Sequence, residues 1–330
     1  MPGPEEHKAD KIFEINNSAE FLKKALEVFR FQYRHNLIYQ HFCNGLNKHQ
    51  GNVKTLVDIP FLPVEFFKNY KIVSGNFKPE IVFSSSSTSG TGQSLHYVKD
   101  LGLYEASFME AFERFYGQAS ELVILALLPS YLEREGSSLV FMAEALIKAA
   151  APGSGFFLHD YENLVNKIQD LEQKGQKTLL IGVTYALLDL AEQFSMKLSH
   201  ATIMETGGMK GKRKEMIREE VHQIIQNAFG VPTVHSEYGM TELLSQAYSK
   251  GNGVFYCPPW MKILIREVND PLSFLPQGQS GGINIIDLAN IYSCAFLSTS
   301  DLGKNLPDGG FEVLGRFDNS DIRGCNLLVQ

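Results

Sequence analysis

Between residues 81 and 235, short uninterrupted apolar runs alternate with longer segments whose apolar residues recur every three to four positions. A run such as 122–128, apolar at every position after its start, suits a strand buried on both faces, and the segments between such runs suit amphipathic helices that cover a sheet. Strands are expected at 81–83, 122–128, 156–158, 179–183, 201–204 and 233–235. Helices are expected at 100–117, where Asp100 is a natural N-cap, and at 137–151, 161–174, 185–194 and 211–229. In the last of these, Met216, Ile217, Val221, Ile224, Ile225 and Phe229 share one face, and Gly230 supplies the stop. The alternation predicts an α/β fold with a largely parallel sheet.

The flanks read differently. Residues 18–48 look largely helical, with Leu22, Ala25, Leu26, Phe29, Tyr33 and Leu37 at helical spacing, and Pro60 and Pro63 mark a connection after them. Beyond residue 250 helical periodicity fades, and short strands are expected at 262–266, 282–287, 294–298 and 311–314. The expected organisation is one core domain over 1–330. It has an N-terminal helical region (1–80), a sheet region (81–250) and a small mostly β subdomain with a hinge-like tail (251–330).

With 37 acidic and 30 basic residues among 330, the chain carries a net charge of -7, which argues against nucleic acid as the main partner. The cluster Lys210, Lys212, Arg213 and Lys214 reads as a solvated helix start. The charged N-terminus lacks the apolar run of a signal peptide, and the stretches 122–128 and 179–190 are too short to span a bilayer, the second also carrying Asp189. Cys43, Cys257, Cys294 and Cys325 are too scattered for a disulfide framework or a zinc knuckle. A reducing, cytoplasmic compartment is expected, with no membrane span.

Three constellations carry chemistry. The first, Ser84 through Ser94, follows a strand and includes Ser86, Ser87, Thr88, Ser89, Gly90 and Thr91. Its glycines permit close backbone approach and its hydroxyl and N–H groups can donate to phosphate oxygens, although no lysine follows it before Lys99, so it is not a Walker A loop. The second is His235-Ser236-Glu237-Tyr238-Gly239-Met240-Thr241-Glu242, at the end of an expected strand, where open α/β sheets bind ligands. There an aromatic can stack on a base, a threonine can reach phosphate, and a carboxylate can hold Mg²⁺. The third pairs Thr299-Ser300-Asp301-Leu302-Gly303 with Gly315-Arg316-Phe317-Asp318; an acidic side chain can accept from ribose hydroxyls, while turn chemistry would also explain the glycines. His96 and His235 are read as structural histidines beside strands rather than acid–base groups, Cys257 as packing and Cys294 as core.

Taken in order, these segments resemble the adenylate-forming superfamily of acyl-CoA synthetases, luciferases and nonribosomal adenylation domains. Thr88-Ser89-Gly90-Thr91-Gly92 matches its phosphate loop with one residue missing, and Tyr238, Gly239, Thr241 and Glu242 match its YGxTE motif. Asp301 matches its ribose-binding aspartate, Gly315 to Asp318 its hinge, and Glu205-Thr206-Gly207-Gly208 the glycine pair lining its acyl and adenine pocket. The chain looks most similar to the LuxE-type acyl-protein synthetases, through 29–43, 59–68, 236–242 and Arg323-Gly324-Cys325.

The resemblance implies ATP and Mg²⁺ as cofactors and a carboxylic, fatty acid as substrate. Ser86 to Thr91, Gly207, Gly208, Tyr238, Gly239, Asp301 and Arg316 would hold the nucleotide; Thr241 would orient phosphates and Glu242 would hold the metal. Cys325 would accept the acyl group. An acyl-reductase or acyltransferase partner follows from the same resemblance. The usual lysine after the phosphate loop is absent, and a mobile C-terminal domain is expected to be missing after the hinge-like segment. An acyl- or aryl-CoA ligase, or a nucleotide-binding protein without turnover, are the other readings.

Overall fold

The computed structural model describes residues 12–85, 92–129, 136–207, 213–214 and 216–316. Asn17 opens the first helix, α1 (Ser18–His35), by accepting from the N–H groups of Ala19 and Glu20. Asn36 breaks the expected single helix in two and caps α2 (Leu37–Gly45) through Tyr39 N. The proline-marked connection gives β1 (Leu62–Pro63) and the single turn α3 (Phe66–Asn69). A hairpin, β2 (Ile81–Ser84) with β3 (Leu95–Val98), follows; β3 was not expected from its short pattern.

The alternation is as the sequence suggests: α4 (Leu101–Tyr116), β4 (Val123–Leu127), α5 (Ser138–Ala149), β5 (Gly155–Phe157), α6 (Tyr161–Gln173), β6 (Thr178–Val183), α7 (Thr184–Gln193), β7 (Ala201–Thr206), α8 (Arg218–Phe229) and β8 (His235–Tyr238). Asp100, Ser137 and Asp160 cap α4, α5 and α6 with their side chains. Strands β5, β4, β6, β7 and β8 lie side by side and parallel, with β4 and β6 buried at every position, as their unbroken apolar runs require.

Two boundaries differ from expectation. Helix α8 begins at Arg218, not 211, and Ile217 is its extended N-cap residue, 62% exposed rather than on the buried face. Glu219 and Glu220 occupy the first turn, where the helix dipole favours acids; the basic residues upstream are disfavoured there. Arg213 of that basic cluster instead pairs with Asp189 and Glu192 of α7. Strand β8 also runs on to Tyr238, so the second constellation starts within a strand.

After β8 the sheet turns antiparallel through β9 (Ala247–Ser249), β10 (Val254–Tyr256), β11 (Met261–Arg266), β12 (Ser280–Asp287), β13 (Phe296–Asn305) and β14 (Phe311–Arg316). The order β11-β12-β13-β14-β10-β9-β8 continues the parallel strands in a single sheet, and β1 adds to β13. Register shifts at Gly282/Asn284 and at Leu302/Gly303 bend β12 and β13. The described part of the third constellation, Thr299 to Gly303 with Gly315 and Arg316, therefore sits inside β13 and β14; Phe317 and Asp318 lie outside the described residues.

The N-terminal helices grip this sheet through one turn. Buried Gln32 donates from Nε2 to the carbonyls of Asn290 (2.9 Å) and Ile291 (2.8 Å), and its Oε1 accepts from Ala295 N at 3.0 Å. Asn36 Nδ2 and Ser74 Oγ both donate to Ser293 O. Replacing Gln32 with leucine keeps the volume but strands three buried backbone groups. The expected cost is about 3 kcal/mol, at roughly 1–3 kcal/mol per unsatisfied group. Denaturant unfolding checks this; a loss below about 0.5 kcal/mol would show that water replaces the side chain.

Candidate active site

Tyr238 and Asp301 lie four strands apart in the sheet order, β8-β9-β10-β14-β13. Four spacings of about 4.8 Å would separate flat strands by roughly 19 Å. Yet Tyr238 Oη donates to Asp301 Oδ2 at 2.7 Å, so the sheet curls until its C-terminal strands face β8. The rings of Tyr238, Phe255 and Phe311 fill the curl, with centroids 5.5–5.9 Å apart. Arg316, paired with Asp301 in the β13–β14 register, places Nε 3.5 Å from Asp301 Oδ1 from an exposed position. Behind Asp301, buried Arg266 donates to the carbonyls of Ile283 (2.9 Å) and Thr299 (2.6 Å). Gly282 makes room for it, since a Cβ there would lie 2.4 Å from the guanidinium carbon.

Thr241 and Glu242 follow β8 in a turn. Glu242 is a 6% exposed carboxylate that forms no salt bridge among the described residues. Burial raises its carboxyl above the ordinary value, and Glu65 adds to the rise. The Ser94 hydroxyl, its own N–H and the Arg316 charge pull the other way. Asp301 is raised too, chiefly by burial, against donation from Tyr238 and the charges of Arg316 and Arg266. Glu65, whose Oε1 accepts from Ser300 Oγ at 2.8 Å, faces both carboxylates. Mg²⁺ takes one or two carboxylates and completes its shell with substrate phosphates and water. Among the described residues no group of three or more His, Cys, Asp or Glu side chains is placed to hold a metal ion by itself, so Glu242 fits as a single carboxylate ligand with phosphates and water completing the shell.

The phosphate-loop residues Ser86, Ser87, Thr88, Ser89, Gly90 and Thr91 lie outside the described residues, as do Gly208 and Cys325. The base of that loop is described: Ser85 N donates to Ser94 O at 3.0 Å and Ser94 N to Ser85 Oγ at 2.9 Å, closing the β2–β3 hairpin. Gly207 follows β7 with φ +77, and Gly239 follows β8. A Cβ on Gly239 would sit 2.5 Å from Glu237 Oε1. Glu205 is inside β7, not in a turn; it accepts from Thr184 Oγ1 at 2.9 Å. Burial raises its carboxyl, but His222, Arg218 and Ser236 outweigh this and hold it below the ordinary value.

Asn290 and Glu65 had no expected role, and Ser94, expected only among the phosphate-loop donors, also acts on the Glu242 carboxyl. Alternation along the chain into β3, which buries Ser94, His96 and Val98 on one face, is the signal that could have marked Ser94 for this second role. Lys99, the first lysine after the loop, lies 3.9 Å over the Tyr292 ring. Cys294 is core, as expected, and half-buried Cys257 lines a groove of about 500 Å³ beside Ile15, Phe21 and Met261 that contains none of the expected site residues. His235 is pushed down to about 4 by burial, and its Nδ1 lies 3.2 Å from Tyr116 Oη.

Comparison with known proteins places the fold in a class. The structure superposes on 2-hydroxyisobutyryl-CoA ligase in its postadenylation state with a TM-score of 0.68 and 16% identity, over 96% of this chain and 72% of that one. It superposes on ATP-bound MatB from Rhodopseudomonas palustris with a TM-score of 0.55 and 17% identity, over 73% of this chain; the chain spans 49% of the length of that protein. The fold is that of the core of the adenylate-forming enzymes. In sequence, the acyl-protein synthetase (LuxE) family matches residues 11–99. The long-chain-fatty-acid–luciferin-component ligase of Vibrio harveyi is 23% identical across 91% of this chain and 85% of its own. That of Photorhabdus luminescens is 35% identical over 69 residues, covering 21% of this chain and 59% of its own. The chain is thus similar to the LuxE-type acyl-protein synthetases within the adenylate-forming superfamily.

A carboxyl whose folded value is raised binds its proton more readily folded than unfolded, so its ionisation costs stability as pH rises through the raised value. Glu242→Gln is therefore expected to melt above the wild type at pH 7, with the gap closing as pH falls towards about 4, the ordinary carboxylate range. Paired melting curves across that range check it. A variant less stable at pH 7 would mean that the ionised Glu242 stabilises the fold.

Proposed function

We propose that this protein activates a carboxylic acid, a fatty acid in the first instance, as its acyl-adenylate with ATP and Mg²⁺, and passes the acyl group to a thiol. The observation that carries the reading is the buried, open Glu242 carboxylate beside the Tyr238–Asp301 pair on an adenylate-forming fold. A carboxylate oxygen attacks the α-phosphorus of ATP, the bond to the departing pyrophosphate breaks, and a mixed anhydride results. Positioning and charge stabilisation supply most of such catalysis. Mg²⁺, when bound, offsets phosphate charge. Asp301 fixes the ribose hydroxyls, braced by Tyr238 and Arg316, and Tyr238 with Gly207, Gly208 and Gly239 borders the adenine. Ser86 to Thr91 and Thr241 hold the phosphates, and Glu242 holds the metal.

In the second step a thiolate attacks the acyl carbon and AMP leaves with its electron pair. Cys325 is the proposed thiol, and Arg323 nearby in the sequence favours its reactive form. The enzyme would work in the cytoplasm and hand its acyl group to a reductase or transferase. Among the described residues no helix is long and apolar enough to cross a membrane.

Magnesium-dependent exchange of pyrophosphate into ATP, with a panel of carboxylic acids, tests the first step. Exchange is expected with long-chain acids, to fall at least about tenfold in Glu242→Gln, and to require more ATP in Asp301→Ala. No exchange with any acid would leave a nucleotide-binding protein without turnover. For the second step, labelled acid plus ATP should leave a hydroxylamine-sensitive label on the wild type that Cys325→Ser lacks, with exchange intact. Acyl-CoA formation by both proteins, without protein label, would assign the thiol to coenzyme A instead.

A further inference from the structure

We infer that His96 is a positioning residue which locks the Thr241–Glu242 turn to the base of the Ser85–Ser94 hairpin; this rests on the proposed role of Glu242. His96 is 1% exposed and projects from β3 on the same face as Ser94, directly after the hairpin base. Its Nδ1 lies 2.7 Å from the carbonyl oxygen of Thr241, and its Nε2 lies 3.1 Å from Asn290 Oδ1. A carbonyl oxygen can only accept, so Nδ1 carries a hydrogen and donates to Thr241. Burial pushes the ring down to about 4, so it is neutral, Nε2 carries no hydrogen, and its approach to Asn290 Oδ1 is a packing contact. Asn290 Nδ2 in turn donates to the carbonyl of Glu242 at 2.7 Å. Two successive backbone carbonyls of the turn are thus gripped, one by His96 and one by Asn290, which packs against the ring. The hydroxyl of Ser94, two residues earlier on that face, pulls the Glu242 carboxyl down against its burial.

The grip has a direction. Ser94 and Ser85 close the loop of 86–91 at one end of β3, and His96 reaches the turn from the same strand. A displacement of the turn relative to the hairpin base would break the His96 hydrogen bond to Thr241. The ring is itself held from behind by Phe67 of α3, whose centroid lies 5.8 Å away edge-on. Phosphate groups and the carboxylate that meets their metal would therefore be kept in register before any ligand arrives. Neither ring nitrogen is free to work as an acid or base on substrate, so the role is positional.

The test compares His96→Leu, which removes the hydrogen bond to Thr241, with His96→Asn, whose amide nitrogen occupies the place of Nδ1. Deuterium uptake by peptides covering 239–245 needs no ligand. It is expected to quicken about tenfold or more in His96→Leu, the size set by one lost buried hydrogen bond, and to stay near wild type in His96→Asn. Uptake across 161–183, remote in the sheet, should not change. Calorimetric affinity for ATP with Mg²⁺ should fall about tenfold in His96→Leu and recover in His96→Asn, while the KM for the acid in pyrophosphate exchange stays put. Unchanged uptake at 239–245 in His96→Leu, loosening spread evenly over the chain, or no rescue by asparagine would each overturn the proposal. A wild type that binds no nucleotide would overturn the functional reading, and uptake would still decide whether His96 fixes the turn. If His96→Leu does not fold, His96→Gln, which supplies an amide only at the Nε2 side, replaces it: loosening at 239–245 supports the inference and wild-type uptake defeats it.

Discussion

The Tyr238–Asp301 hydrogen bond is made between strands that a flat sheet would hold roughly 19 Å apart, so it exists only because the sheet curls. Everything proposed for the site depends on that curl. It brings the turn after β8, which carries Thr241 and Glu242, against the strand that carries Asp301, and sets Arg316 beside both. The bend is built from glycines and bulges at Gly282 and Gly303, and aromatic rings of Tyr238, Phe255 and Phe311 hold its concave side. Buried Arg266 buttresses β13 from behind, with Gly282 leaving its space. A long side chain spanning three strands in this way turns sheet curvature into a fixed position for Asp301.

A second set of contacts ties the N-terminal region to the same place. Gln32 and Asn36 of the first helices hold the turn at 290–295 by its backbone groups. Asn290 of that turn bonds the Glu242 carbonyl and meets His96. The route from α1 to Glu242 thus runs through two buried side-chain amides. The residues matched by the acyl-protein synthetase family, 11–99, thus reach the turn that carries Glu242 although they lie far from it in sequence. Those residues hold the turn and the hairpin that frame the site, and Glu65 among them reaches Ser300 beside Asp301.

The parallel half of the fold was legible because its information is local. Unbroken apolar runs gave β4 and β6, and Asp100, Ser137 and Asp160 announced helix starts that the structure keeps. The antiparallel half was legible only as strands, since β9 and β10 are three residues long and their pairing is decided by distant partners. The site divided in the same way. Tyr238, Glu242, Asp301 and Arg316 could be picked out by pattern, and the structure brings them together. Asn290 and Glu65 could not, because an asparagine and an exposed glutamate carry no pattern until the curl gives them neighbours. Thr299 to Gly303 looked like a turn because glycine usually signals one, whereas here Gly303 marks a bulge inside β13.

Three buried carboxylates show how the chain separates scaffold from chemistry. Asp287 accepts from Leu244 N, Ser245 N, Ser245 Oγ and Ala289 N, which occupies about all the lone-pair positions of a carboxylate. It has nothing left to offer a ligand, and it fixes the chain just beyond Glu242. Glu242 has only the Ser94 hydroxyl and its own N–H, and Asp301 keeps one oxygen on Tyr238 and the other facing an exposed arginine. All three are raised by burial, so all three cost folding free energy when ionised. For Asp287 the four donors offset that cost within the fold. For Glu242 and Asp301 the offset is incomplete, and a cation or hydroxyl donors arriving from outside would supply the rest. Incomplete satisfaction of a buried charge is thus the physical mark that distinguishes the candidate site from its equally buried support.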